Sequence, residues 1–187
     1  MFIGGDLQIK MIHVQDARAL YELLERNRSH VSQWLTWPND IGTEEDMLKY
    51  LRIETKKNAI RSTIQMSIWF RNQAAGMIGF DFIDLQNKLG NMWYWLGEEF
   101  EGKGIMSESS KYAVHYAFSN VQLNRIEIRC APENSKSRRI AINNGFLEEG
   151  LFRQAQWING RCNDLVIYSL LKSDQEHRKE GDTKWLD

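Results

Sequence analysis

Cysteine is scarce in this chain: Cys130 and Cys162 are the two among 187 residues. Two cysteines do not make a disulfide framework, and they read as reduced thiols in a cytoplasmic protein. No apolar run approaches the roughly 20 residues that a membrane span needs. The opening residues Met1-Phe2-Ile3-Gly4-Gly5-Asp6 lack a basic region followed by an apolar stretch, so neither a membrane anchor nor a secretory signal is expected. Charge of one sign is also lacking, with 24 Lys and Arg against 25 Asp and Glu. That balance argues against nucleic acid as a direct partner, which needs a basic face, but leaves room for one polyanionic ligand in a local pocket. His13, His30, His115 and His177 do not pair with each other or with cysteine at ligand spacing, so no metal is expected.

What is present is enough apolar residue, 42%, for one buried core. Asp16 can cap a helix over 16–28 whose Ala17, Leu20, Tyr21 and Leu24 share a face. Thr43, with Asp46 three residues on, marks the start of a second. Strands follow at 64–70 and near 75–84, then in the aromatic run Met92-Trp93-Tyr94-Trp95-Leu96. A helix is expected from Ser107 to Ser119, a strand over Arg125–Ala131, and a helix near 135–144 that Gly145 ends. Gln154–Ile158 and Asp164–Leu171 read as strands, the first running into the hairpin dipeptide Asn159-Gly160. The order is helices, an antiparallel meander, then β-α-β-α-β-β. It implies a mixed sheet with helices on its faces, in one domain over 1–172 with a charged, mobile or peripheral tail at 173–187.

The chemistry lies first in Trp95-Leu96-Gly97-Glu98-Glu99-Phe100-Glu101-Gly102-Lys103-Gly104-Ile105-Met106-Ser107. A strand ends, a glycine-containing loop follows, and a helix begins. Unpaired first-turn amides and the helix dipole make such a place suited to a phosphate or pyrophosphate. Gly102 and Gly104 can take positive φ, and Lys103 can add a cation. The spacing is neither a P-loop nor a dinucleotide fingerprint. Glu98, Glu99 and Glu101 form an acidic cluster that is either a solvated turn or an attractor of cationic amines.

The second segment follows the strand Arg125-Ile126-Glu127-Ile128-Arg129-Cys130-Ala131. It runs Pro132-Glu133-Asn134-Ser135-Lys136-Ser137-Arg138-Arg139 and closes on Asn144-Gly145-Phe146. Here the chain resembles the GNAT N-acetyltransferases, and within them the RimJ/RimL-like branch that acetylates N-termini of ribosomal proteins. Glu101-Gly102-Lys103-Gly104-Ile105-Met106 stands where that family has its Gln/Arg-x-x-Gly-x-Gly/Ala loop. The hairpin Trp157-Ile158-Asn159-Gly160-Arg161 with Asp164 is also similar, and the likeness runs from about residue 7 to 172. Glu101 and Met106 depart from the pattern, and a carboxylate beside a pyrophosphate leads us to expect Glu101 turned outward.

The resemblance implies a GNAT fold, with a central sheet of six to seven strands whose middle pair, 92–97 and 125–131, splays apart to admit acetyl-CoA as co-substrate. It implies that backbone at Trp95, Leu96 and Gly97 pairs with the pantetheine arm and offers an oxyanion donor. The amides of Lys103 to Ser107 hold the pyrophosphate, with Gly102, Gly104, Ile105 and Met106 in that loop. Asn134 holds the arm from the other side, and Arg138 or Arg139 reaches the 3′-phosphate. Ser137 protonates the departing sulfur, unless it only caps its helix. Gln156 stands where the branch often has a glutamate base, and an amide takes no proton at neutral pH. A site without a strong base suits an α-amine, with a pKa of about 8, better than lysine at about 10.4.

The implied acceptor is therefore the N-terminus of a protein, ribosomal by resemblance, approached past Trp34, Trp37 and Glu98. The tryptophans equally suit core packing, and Cys130 is read as a buried inert thiol. A small amine such as a polyamine or aminoglycoside is the alternative acceptor. A non-catalytic CoA-binding module, which Gln156 and Glu101 favour, is the third reading. A homodimer is implied only at family level.

Overall fold

The computed structural model describes residues 5–175. Most of the tail expected at 173–187 thus lies outside the described residues. The elements run β1 (Leu7–Met11), α1 (Ala17–Ser32), α2 (Glu44–Ala59), β2 (Ile64–Phe70), β3 (Gln73–Asp84), β4 (Leu89–Leu96), α3 (Ile105–Tyr116), β5 (Arg125–Cys130), α4 (Ser135–Asn143), β6 (Leu147–Ile158) and β7 (Arg161–Leu171).

Each boundary has a local cause. Thr43 caps α2, its Oγ1 accepting from the Asp46 amide at 3.2 Å. Asn72 and its neighbour Arg71 turn β2 into β3 with φ of 62° and 50°. Asn159 and Gly160, at 51° and 75°, make the primed turn that joins β6 to β7. Gly145, at 84°, ends α4 in the left-handed region.

Seven strands form one mixed sheet in the order β1-β2-β3-β4-β5-β7-β6. Every neighbour pair is antiparallel except β4 with β5. α1 and α2 pack together against β2 and β3, while α3 and α4 cover the opposite face; Leu20, Leu23, Leu24, Met47 and Leu51 are fully buried between helix and sheet. β2 is buried on both faces, so its polar residues find partners inside: Ser67 Oγ accepts from Trp69 Nε1 at 2.9 Å.

Three expectations need correction. The chain opens with a strand rather than a helix. Leu7 to Met11 pairs with Phe70 to Met66 at the sheet edge. Five residues at an edge depend on that pairing, so their own pattern is a weak signal. β6 begins at Leu147, well before Gln154, because two register shifts interrupt the alternation. α3 begins at Ile105 and not at Ser107. Gly104 takes the N-cap position with φ of 75°, which turns the chain into the helix early and leaves Ser107 inside the first turn.

The sheet splits in the middle. β4 and β5 pair only at Leu89↔Arg125, Gly90↔Ile126 and Asn91↔Glu127. Beyond that, β5 pairs with β7 alone as far as Cys130, and β4 pairs with β3 alone as far as Leu96. The strands separate where β3 carries an extra residue, Asp81, between Phe80↔Met92 and Phe82↔Asn91. A bulge bends the strand that carries it.

Candidate active site

A groove of about 820 Å³ opens in that gap, between Met92–Leu96 of β4 and Ile128–Cys130 of β5 with Ala131 just after it. Its far wall is the start of α4, its rim the end of α1, and its floor the loop into α3. One side of β4 has lost its partner over Met92–Leu96. Every second residue there presents its N–H and C=O to the gap, an edge ready to pair with an extended amide-bearing chain.

The loop end is built for an anion. Gly102 and Gly104 have φ of 72° and 75°, and an added Cβ at either would meet nothing within 4 Å. Their absent side chains therefore serve conformation rather than clearance. The Glu108 amide bonds to Gly104 O at 3.1 Å, which leaves the amides of Ile105, Met106 and Ser107 without an intrahelical carbonyl. Those amides sit at the positive end of α3's dipole. Lys136 and Arg139 also line the groove, and Arg139 has no partner among the described residues.

The far wall carries Ser137. Asn134 is the N-cap of α4, its Oδ1 accepting from the Ser137 amide at 3.1 Å. Capping thus belongs to Asn134, whose amide nitrogen stays available on the groove. The Ser137 hydroxyl meets Tyr94 instead: the phenol oxygen lies 3.0 Å from Ser137 Oγ and 3.1 Å from Ser137 O. Burial pushes the Tyr94 phenol far above its ordinary value. Cys130 lines the same wall. Burial pushes its thiol up, while the Ser137 hydroxyl works the other way.

Among the residues expected at the site, Trp95, Leu96, Gly102, Gly104, Ile105, Met106, Ser107, Asn134, Ser137, Gln156 and Trp34 line the groove. Five do not. Gly97 donates its amide to Ala75 O at 2.8 Å, facing β3. Lys103 turns back to Glu99 O at 2.7 Å and lies over the Phe100 ring, on the other side of the loop. Arg138 is held by the Tyr168 hydroxyl at 2.8 Å, by Pro132 O and by Glu148. One residue is about 100° of helix, so it is Arg139 that faces the groove. Trp37 stacks on Tyr50 at 5.3 Å and packs edge-on to Trp93, inside the structure. Glu98 is exposed, with its amide fixed by Asn27 Oδ1 at 2.8 Å. Glu99, its partner in the acidic cluster, accepts from Asn27 Nδ2 at 3.1 Å, also away from the groove.

Glu101 is the opposite case. Expected outward, it turns to the groove mouth, ion-paired to Lys136 and 3.1 Å from His30 Nε2. His30, Lys136 and Tyr94 had no role in the sequence reading. Tyr94 was within reach, because alternation places it on the face opposite Trp93 and Trp95. His30 and Lys136 are 71 and 35 residues from the loop's carboxylate, and only the fold brings them together.

Gln156 reaches the groove through an irregularity. Phe152 pairs with Leu165 and Gln156 with Asn163, so three residues of β6 face one of β7. The Asp164 carboxylate accepts from the Gln154 amide at 2.8 Å, where Gln154 has φ of 51°. The hairpin tip is tied across the opening by Asn159 Nδ2, which donates to Ser32 O at 3.1 Å. Among the described residues lining the groove, Glu101 is the one carboxylate. The indole nitrogens of Trp93 and Trp95, both groove residues, are buried without a hydrogen-bond partner. No group of three or more metal-ligating side chains occurs among the described residues, and none of their helices is long and apolar enough to cross a membrane.

The chain is similar to known proteins in sequence and fold. The family described as "Acetyltransferase (GNAT) domain" matches residues 6–147. The putative ribosomal N-acetyltransferase YdaF of Bacillus subtilis is 32% identical over 95% of this chain and 97% of its own. A ribosomal-protein-serine acetyltransferase of Escherichia coli is 27% identical over 92% of this chain and 97% of its own. A RimL ribosomal α-N-protein acetyltransferase, solved in complex with coenzyme A, superposes with a TM-score of 0.87 at 27% identity, covering 90% of this chain and 95% of its own.

Proposed function

Since this chain belongs to the GNAT acetyltransferases, which use acetyl-CoA as co-substrate, we propose that it acetylates the N-terminal α-amine of a protein, a ribosomal protein by kinship. The observation that carries the choice of acceptor is the polarity of the groove. Among the described residues lining it, the single carboxylate, Glu101, is already held by Lys136 and His30. A polyamine, with several cations, finds no free carboxylate there, whereas a peptide N-terminus brings one amine and a backbone that Gln156 can hydrogen-bond.

The groove fits acetyl-CoA on its own features: anion-binding amides at Ile105 to Ser107, the cations Lys136 and Arg139, and an unpaired strand edge along β4. Acetyl-CoA supplies the acetyl group as a thioester. In this reading the protein's residues do the rest. The β4 edge fixes the arm, and Asn134 steadies it from α4. The incoming amine forms its bond to the acetyl carbon as the C–S bond breaks. The amine loses one proton to solvent water, the sulfur takes one from the Ser137 hydroxyl, and Ser137 regains its proton from solvent. Gln156 hydrogen-bonds the acceptor backbone and takes no proton. An α-amine is about one-tenth neutral at pH 7 and needs no strong base, which fits a groove whose one carboxylate among the described residues is held by Lys136 and His30. Such an enzyme works where its acceptors are made, in the cytoplasm.

The test is purified protein with acetyl-CoA and three acceptors: a peptide with a free N-terminal serine, the same peptide blocked at its N-terminus but carrying lysine, and spermidine. Thiol release is followed and the acetyl group located by mass spectrometry. The expected product is the α-acetylated peptide. Faster turnover of spermidine, or of the blocked peptide, overturns the choice of acceptor.

A further inference from the structure

On the groove wall the Tyr94 phenol lies 3.0 Å from Ser137 Oγ. The Cys130 thiol lines the same groove; burial pushes it up and the Ser137 hydroxyl works the other way. A serine hydroxyl has one proton and two lone pairs. If it spends its proton on Tyr94, nothing remains for a sulfur; if it accepts from Tyr94, its own proton is free.

We propose that Tyr94 is the positioning residue for Ser137: its phenol donates to Ser137 Oγ and so directs the serine proton toward the sulfur of the coenzyme. The inference rests on the reading of the groove as an acetyl-CoA site with Ser137 at the leaving thiol. The anchoring is good on both sides. Tyr94 is on β4, whose register with β3 is fixed by Ile78↔Tyr94, and Ser137 is held by Asn134 through its amide. The phenol sits between two acceptors, Ser137 Oγ at 3.0 Å and Ser137 O at 3.1 Å. The phenol proton is shared between them: it donates to the carbonyl, which already accepts from the helix ladder, and to Ser137 Oγ, which has no other donor among the described residues. Burial keeps the phenol protonated throughout the range in which a thiol titrates, so it acts as a donor and not as the source of a transferred proton. A hydroxyl that accepts from a neighbour is also the stronger donor.

The experiment uses coenzyme A bound to the full chain in a Cys130→Ala, Cys162→Ala background, so that the ligand carries the one thiol. Thiolate absorbance is titrated against pH in that background and with Tyr94→Phe, Ser137→Ala, or both. Tyr94→Phe keeps the ring and removes only the hydroxyl. A hydrogen bond to the thiolate lowers its pKa, so the bound thiol should be a weaker acid in Tyr94→Phe, by roughly tenfold, the worth of one such bond. Ser137→Ala should do the same, and the double variant should go no further. With an active acceptor peptide, Tyr94→Phe should lower kcat by a similar factor with KM for acetyl-CoA and Tm nearly unchanged. Equal titration in background and Tyr94→Phe, or fully additive shifts in the double variant, overturns this inference alone. Failure of the protein to bind coenzyme A overturns the underlying reading as well. A merely structural Tyr94 would lower Tm and leave the thiol where it was.

Discussion

Asn91 Nδ2 donates to Asp81 Oδ1 at 2.7 Å, and this bond ties the last residue of β4 that pairs with β5 to the residue that bulges from β3. Bulge and parting of the strands occur at the same level of the sheet, so we attribute the gap to the bulge. Asp81→Ala should cost about 1 kcal/mol, or a few degrees of Tm, and weaken coenzyme binding severalfold. Calorimetric titration with coenzyme A checks the second part; unchanged affinity would separate the bulge from the gap.

Gly76 lies against the outgoing end of β4, where a Cβ would come 2.2 Å from Trp95 O. The clash is with backbone, which cannot rotate aside. Gly76→Ala should destabilise by roughly 1–3 kcal/mol and displace the stretch proposed to hold the coenzyme's arm. Thermal melts with and without coenzyme A are expected to show a lower Tm and a smaller ligand-induced rise.

Glu101 closes the groove mouth through Lys136 and His30. A diphosphate entering there meets one unfavourable charge and a lysine already engaged. Glu101→Gln should therefore tighten coenzyme binding severalfold, most visibly at low salt, because these partly exposed charges are screened. Weaker binding in Glu101→Gln would mean that the carboxylate organises the loop instead.

Adjacent arginines on α4 should separate by function. Arg139 faces the groove without a partner among the described residues, whereas Arg138 braces Tyr168 and Glu148. Arg139→Ala should weaken coenzyme A by about tenfold, and its 3′-dephospho form much less, as expected for a lost charge-assisted bond. Arg138→Ala should alter Tm with little change in either affinity.

Acid should loosen the β5–β7–β6 side of the sheet first. Arg125 binds Glu127 and Glu149, and Ser169 adds a bond to Glu149. The Arg125 and Ser169 hydrogen bonds hold the Glu149 carboxyl down to about 2, against an ordinary value of 4.5. Glu127 is also lowered, its burial outweighed by Arg129 and Arg125. A depressed carboxylate stabilises the fold above its unfolded pKa, and that contribution goes as pH falls through the folded value. Tm should drop from about pH 4.5 toward pH 2, and Arg125→Met should flatten the drop.

The signals that were legible in sequence are local ones. Thr43 at the head of α2, Gly145 after α4 and Asn159-Gly160 each meet a backbone demand that few residues satisfy. The two segments around Gly102-Lys103-Gly104 and Asn134-Ser135-Lys136-Ser137 gave the family and most of the groove. What escaped depends on partners distant in sequence. β1 exists by pairing with β2, and Glu101 turns inward because His30 and Lys136 arrive from α1 and α4. Arg138 and Lys103 point away from the groove for a different reason. A sequence motif says which residues share a loop or turn, not which way each side chain leaves it.

The central claim is that the unpaired edge of β4 and the amides heading α3 hold the coenzyme together. Amide hydrogen exchange, followed residue by residue with and without coenzyme A, tests it most directly. Slowed exchange is expected within Met92–Leu96 and at Ile105 to Ser107, with little change in β1 and β2. Protection confined to other elements, or absent at saturating coenzyme, would contradict it.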